Sequence, residues 1–162
     1  MSESEIVGMI VAWHIDRNLI EGATDESQFK KLMSEFGELS DNLAKGRCIK
    51  DDVGDMAVVL INIAERNESI GLMLKNGTTY YGSSYFTVMQ ELECLGMTIY
   101  EESKSMYKAA IAECIVDLWE CLKSFCDGHN LNFVECLSIA YDDIKDRKGK
   151  MINGTFVKES DL

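Results

Sequence analysis

Two stretches of this chain set carboxylates at helical spacing. "EFGE" places Glu35 and Glu38 three residues apart, and "DVGD" does the same for Asp52 and Asp55. Residues three apart lie on one face of an α-helix, so each pair offers two carboxylates in one direction. Four carboxylates drawn together repel, and burying an unpaired one is strongly unfavourable. The acids can take up protons as their pKa rises. A hard divalent cation such as Mg²⁺ can sit among them, held by oxygen ligands. Lysines are a weaker route, because the segment carrying the second pair has only Lys50. The bland alternative is four solvated surface acids in a chain already rich in Asp and Glu. A di-iron carboxylate centre would need Glu-x-x-His, and neither His14 nor His129 follows an acid by three.

The elements that must position these acids read as helices. There is no proline in the 162 residues, which favours long uninterrupted helices. Helix is expected at 3–19, with Ser2 and Glu5 as a capping box, and at 26–44, capped by Asp25 with Gln28 and ended by Gly46. A third helix at 49–66 follows a connection so short that it forms an antiparallel hairpin with the second. On the second helix Phe29, Leu32, Phe36, Leu39 and Leu43 make an apolar stripe, bordered by Lys31, Glu35, Glu38 and Asn42. On the third, Asp52 falls inside the apolar face and Asp55 at its edge, with Asn62 two turns further on the same side. This helix is expected to be buried nearly all round. A short helix ending at Asn76-Gly77, a loop at "TTYYGSS", and helices at 84–101, 105–127 and 133–146 follow, the last capped by Asn132 and Glu135. Asn-Gly within "MINGTFV" predicts a small β-hairpin. The fold class is therefore an all-α bundle with a C-terminal hairpin, read as one domain: residues 1–66 hold the acid pairs, 84–146 form a second helical half, and 147–162 a basic tail.

"KLMSEFGELSDNLAKG" followed by "DDVGDMAVVLINIA" resembles the E-x-x-E … E-x-x-D core of the MazG-like, all-α nucleoside triphosphate pyrophosphohydrolases. The closing "FVECLSIAYDDIKDRKGKMINGTFVKE" is similar to the end of phage-type members, and the likeness covers roughly 9–66 and 129–159. The resemblance implies that the four acids bind Mg²⁺, with Mn²⁺ as an alternative, and that an NTP or dNTP is cut to the monophosphate and pyrophosphate. By position Glu35 and Glu38 fill the first pair and Asp55 the final place. Asp52 stands where the family usually has Glu, with a shorter reach to the metal. Members commonly associate through helices, so a homo-oligomer is expected, and for a phage protein the host cytoplasm.

The residues suggest roles compatible with that chemistry. An unligated carboxylate, Glu38 or Asp51, would take the proton of the attacking water. In a chain of net charge −12 local cations must hold the triphosphate; Lys145, Arg147, Lys148 and Lys150 lie in "IKDRKGK", and Lys31 lies on the acid stripe. The alternative for that cluster is a solvated helix end. Trp13 and Asn62 are candidate base contacts, against the reading of Trp13 as core. The acidity disfavours nucleic acid as a partner, and no run approaches the roughly 18 apolar residues of a membrane span. The six cysteines form no C-x-x-C and read as reduced core thiols. Aligning Gly37 with Gly96 sets Cys94 and Met97 against Glu35 and Glu38, and Cys114 and Asp117 against Asp52 and Asp55. The second half thus reads as a worn copy of the first, with Trp119 or Tyr100 helping to wall the base pocket. Rival readings are a nucleotide sensor of the same fold that does not cleave, and a helical adaptor whose acids are surface charge.

Overall fold

Seven α-helices and one β-hairpin make up the regular structure among the residues that the computed structural model describes, 1–75, 82–102 and 108–162. The helices are α1 (Glu3–Asp16), α2 (Asp25–Ala44), α3 (Lys50–Arg66), the single turn α4 (Ile70–Met73), α5 (Tyr85–Glu102), α6 (Lys108–Gly128) and α7 (Phe133–Ile144). Strands β1 (Gly149–Ile152) and β2 (Thr155–Lys158) follow, closed by a 3₁₀ turn at Glu159–Asp161. No helix among the described residues is long and apolar enough to cross a membrane. The expected helix end at Asn76-Gly77 and residues 103–107 lie outside the described residues, as does most of the "TTYYGSS" loop.

Helix α3 is the centre. It touches α1, α2, α4, α6 and α7, and from Asp52 to Ala64 every residue except Asp55 is buried. The all-round burial expected from its sequence is therefore present, and Asp55 is the one place in that span where α3 opens outwards. Helix α2 joins it as the expected hairpin, ending where Gly46 takes the left-handed φ of 63°. The far ends are tied together by Arg66, whose Nε donates to Asp25 Oδ1 at 2.8 Å.

The caps correct three expectations. Ser2 and Glu5 do form the capping box of α1, but α2 is capped by Thr24 with Ser27, not by Asp25 with Gln28. A Thr one residue earlier offers the hydroxyl that bonds the free N–H of Ser27, at 3.0 Å. Helix α1 stops at Asp16 rather than 19, because Asn18 turns left-handed and Leu19 N bonds back to His14 O at 2.8 Å. Helix α7 stops at Ile144 rather than 146, and Arg17 takes up the carbonyls beyond it, Lys145 O and Arg147 O.

The Asn153-Gly154 turn forms as its sequence predicts. Both residues are left-handed, and the ladder pairs Gly149 with Lys158 and Ile152 with Thr155. Ser27 Oγ donates to Gly154 O at 2.9 Å, fastening the hairpin tip to the first turn of α2. Helices α5 and α6 make a second hairpin, with α2 against α5 and α3 against α6. Within it Cys94 Sγ lies 3.3 Å from Cys114 Sγ. All six thiols are free; four are buried, but Cys48 and Cys94 are exposed, so they are not core thiols.

Candidate functional site

A cavity of about 420 Å³ opens where Asp55 emerges from the core. One wall is the face of α2 carrying Gln28, Lys31, Glu35 and Glu38, residues three or four apart that line up along a helix. Asp55, Val58 and Val59 of α3 form the next wall. Trp13 and His14 of α1 and Phe156 of β2 also line it. The hairpin fold-back also brings Lys158 and, from the end of α7, Arg147.

The four acids lie in one region but differ in state. Glu35 is buried, and its Oε1 is ion-paired with Lys31 Nζ one helical turn away. Asp52 is also buried; both of its carboxylate oxygens accept from Asn42 Nδ2 at 3.0 Å. Burial raises the Asp52 pKa; the Asn42 bond opposes that, while Asp51 and Glu35 add to it. Asp55 is pushed up to about 7, first by burial and then by the charges of Glu35 and Asp51, with Arg147 and Lys31 pulling the other way. Glu38 and Asp51 are exposed, and of these two only Glu38 lines the cavity. Among the described residues, no three or more His, Cys, Asp or Glu stand together as a group ready to hold a metal ion. Glu35, Glu38 and Asp55 share the cavity, whereas Asp52 is anchored to Asn42 beside it.

The remaining sequence-predicted residues divide. Trp13, Lys31 and Arg147 line the cavity. Lys145, Lys148 and Lys150 are exposed and do not, and Lys145 is held by Asp142 at 2.7 Å. Asn62 is fully buried and its Nδ2 donates to Leu19 O at 3.1 Å, so it braces the chain after α1 from beneath and is not part of the lining. Trp119 and Tyr100 do not wall the cavity either. Trp119 is core, its Nε1 bonded to Glu3 Oε1 at 2.9 Å, and Tyr100 is exposed on α5. His14, Lys158 and Phe156 were missed by the sequence reading. For His14 the available signal was "IVAWHI", a histidine inside an apolar run.

His14 gives a pH-dependent prediction. Burial, with a smaller contribution from Arg17, lowers its pKa from 6.5 to about 3. The unfolded chain binds a proton below 6.5 that the folded chain refuses. The stability linked to neutral His14 is thus fully present above pH 6.5 and is lost as pH falls towards 3. In His14→Leu, the fall in stability from pH 7 to pH 5 should be shallower than in the wild type, by at most about 1.4 kcal/mol per pH unit. Urea midpoints at three pH values measure it, and parallel curves would refute the assignment.

Among known proteins, the chain is 45% identical over 65 residues to a protein of Haemophilus phage HP1 (strain HP1c1) described as an uncharacterized 18.2 kDa protein in the rep-hol intergenic region. The match spans 39% of this chain and 40% of that protein. No family model matches the chain, and no solved structure matches it.

Proposed function

We propose that this protein is a Mg²⁺-dependent nucleoside triphosphate pyrophosphohydrolase of MazG-like, phage type, working in the cytoplasm of a host cell. The observation that carries this reading is the make-up of the cavity: carboxylates Glu35 and Glu38 from α2 and Asp55 from α3, cations Lys31, Arg147 and Lys158, and the rings of Trp13 and Phe156 in one lining. That composition suits a metal, a triphosphate and a base within a single ligand. The donor set is all oxygen, which fits Mg²⁺ or Mn²⁺, and the raised Asp55 belongs to a group of like charges that a cation would relieve.

When bound, the ion would offset phosphate charge and make a coordinated water more acidic. Glu35, Glu38 and Asp55 would hold it, with Asp52 joining only by leaving Asn42. Lys31 must release Glu35, and its long, half-exposed side chain then has the phosphates within the same cavity as its alternative partner. Glu38, exposed and in the cavity, is the better placed of the two candidate bases. Asp51 acts on the site through its charge on Asp55 and Asp52. In the proposed step the water oxygen bonds to the α-phosphorus, the bond from that phosphorus to the bridging oxygen breaks, pyrophosphate leaves, and the water proton passes to the carboxylate. The α5–α6 hairpin is proposed as a worn copy of α2–α3: Cys94 meets Cys114 where the aligned Glu35 and Asp52 sense each other's charge. Exposed Phe86, Met89 and Met97 on α5 offer the proposed homo-oligomer a face.

A second reading has an observation of its own. Lys31 on Glu35 and Asn42 on Asp52 satisfy two acids with protein groups alone, which favours a nucleotide-binding protein that does not cleave. Burial of those same two acids weighs against a surface-charge adaptor. A panel of NTPs and dNTPs with Mg²⁺ or Mn²⁺, scored for pyrophosphate, separates them. The expected result is release from at least one nucleotide, lowered on the order of a hundredfold in Glu38→Gln with unchanged melting. Binding without pyrophosphate from any nucleotide would replace the enzyme with the sensor.

A further inference from the structure

The α5–α6 hairpin holds a pair of thiols that the proposed hydrolysis does not use. Cys94 Sγ of α5 lies 3.3 Å from Cys114 Sγ of α6, so one thiol can share its proton with the other. The two differ in access: Cys94 is exposed, whereas Cys114 is buried at 7% exposure. Thr98 Oγ1, one turn beyond Cys94, stands 3.4 Å from the Cys114 sulfur as a second hydrogen-bonding neighbour. Burial pushes the Cys114 thiol up to about 11; Thr98 opposes this, while Cys94 and the charge of Asp117 add to it. Cys114 is therefore a protonated, shielded thiol, and an incoming reagent meets Cys94 first. Bonded sulfurs stand at about 2.05 Å, so this pair needs to close by only about 1.3 Å to form a bond.

We infer that Cys94 and Cys114 form a reversible dithiol–disulfide site whose reaction partner is a low-molecular-weight disulfide such as oxidised glutathione. The Cys94 thiolate attacks one sulfur of the small disulfide. The bond between its two sulfurs breaks, and the first half leaves as a thiolate that takes a proton from water. Cys94 then carries a mixed disulfide. Cys114 gives its proton to water and attacks Cys94 Sγ, and the second half leaves in the same way. Two protein thiols become one disulfide and the small disulfide becomes two thiols, so two electrons and two protons pass from the protein to the reagent. The first step assists the second: once Cys94 is capped, its charge no longer opposes ionisation of Cys114. The new bond ties α5, which also packs on α2, to α6. A reducing cell keeps the pair as thiols, so the bond marks oxidising conditions.

The test uses the full chain with Cys48→Ser, which leaves Cys94 as the one exposed thiol among the described residues, and oxidised glutathione as the reagent. The expected product has lost the mass of two hydrogens, has gained no glutathione, and shows two thiols fewer after unfolding. Protease digestion should then give a peptide joining Cys94 to Cys114, which dithiothreitol separates. With Cys114→Ser added, Cys94 should keep its glutathione, and the mixed disulfide should last at least about a hundredfold longer than in the parent chain. With Cys94→Ser instead, the buried Cys114 should take up no glutathione while the protein is folded. The parent chain alone decides the matter, whatever the added substitutions do to folding. A parent chain that keeps glutathione on Cys94 with Cys114 free overturns the inference, as does one that links Cys94 to any other cysteine or does not react at Cys94. Neither thiol lines the cavity, so none of these results bears on pyrophosphate release.

Discussion

Asp55→Asn should melt at a higher temperature than the wild type in metal-free buffer at pH 8, and should release pyrophosphate on the order of a thousandfold more slowly. The two effects have one cause. Asp55 is pushed up from its ordinary 3.8 to about 7 by burial and by the charges of Glu35 and Asp51. The unfolded chain gives up that proton near 3.8 and the folded chain keeps it until about 7, so ionised Asp55 costs stability. The cost begins above pH 3.8, grows to pH 7 and is fully present beyond it. Asn has the same shape and no charge, so its advantage is absent at pH 4 and greatest above 7. A difference of about three pH units corresponds to at most about 4 kcal/mol. Solvent at this partly open position screens part of that, which leaves about 1–2 kcal/mol. For a chain of this size that is roughly 2–8 °C. Mg²⁺ should raise the wild-type melting temperature by mass action on the folded state and leave Asp55→Asn nearly unmoved. Melting at pH 4 and pH 8, with and without Mg²⁺, gives all four values. A variant that melts below the wild type at pH 8 without metal would mean that the carboxylate is held by favourable bonds and is not part of a strained acid group.

How much of this site was legible in the sequence depended on how far apart its parts lie along the chain. Glu35, Glu38 and Lys31 share one face of one helix, so periodicity alone set them together. Asp55 could be placed at the edge of α3 for the same reason. Asn62 shows where that reasoning stops: two turns along the same side of α3, the face is covered by the chain after α1, and the side chain serves Leu19 O instead of the cavity. Asp52 could be recognised as buried, but not as tied to Asn42 across the hairpin. The basic tail was the weakest part. "IKDRKGK" bunches four cations, yet the hairpin folds back on α2 through Ser27 and Gly154 and delivers Arg147 and Lys158 to the cavity while Lys145, Lys148 and Lys150 face solvent. A contact between residues so distant in sequence leaves no periodic trace in either segment.

The same substitution at two glycines should have opposite signs, and the larger effect belongs to Gly54. A methyl group added there would stand 2.4 Å from Cys136 O and 2.8 Å from Ala140 Cβ, both on α7. Those neighbours are a backbone carbonyl and a one-carbon side chain, so no rotamer can make room; α3 and α7 must separate. Overpacking of this kind costs about 1–3 kcal/mol, and with two neighbours unable to yield the upper end is expected, roughly a 6–12 °C drop in melting temperature. Separation also moves Asp55, the next residue, relative to Arg147 just beyond the end of α7, so pyrophosphate release should fall as well. Gly37 lies between Glu35 and Glu38 with nothing within 4 Å of an added methyl group. Gly37→Ala therefore gains helix propensity, up to about 1 kcal/mol, without touching the cavity wall, and should raise the melting temperature with activity unchanged. Gly96 falls between them, since the obstacle there is the tip of the Phe29 ring, which can swing aside. The order Gly37→Ala above wild type, then Gly96→Ala, then Gly54→Ala is the expected result in thermal melts. A Gly54→Ala protein that melts with the wild type would mean that α3 and α7 do not meet at this glycine, and the position of Asp55 against the end of α7 would fall with that contact.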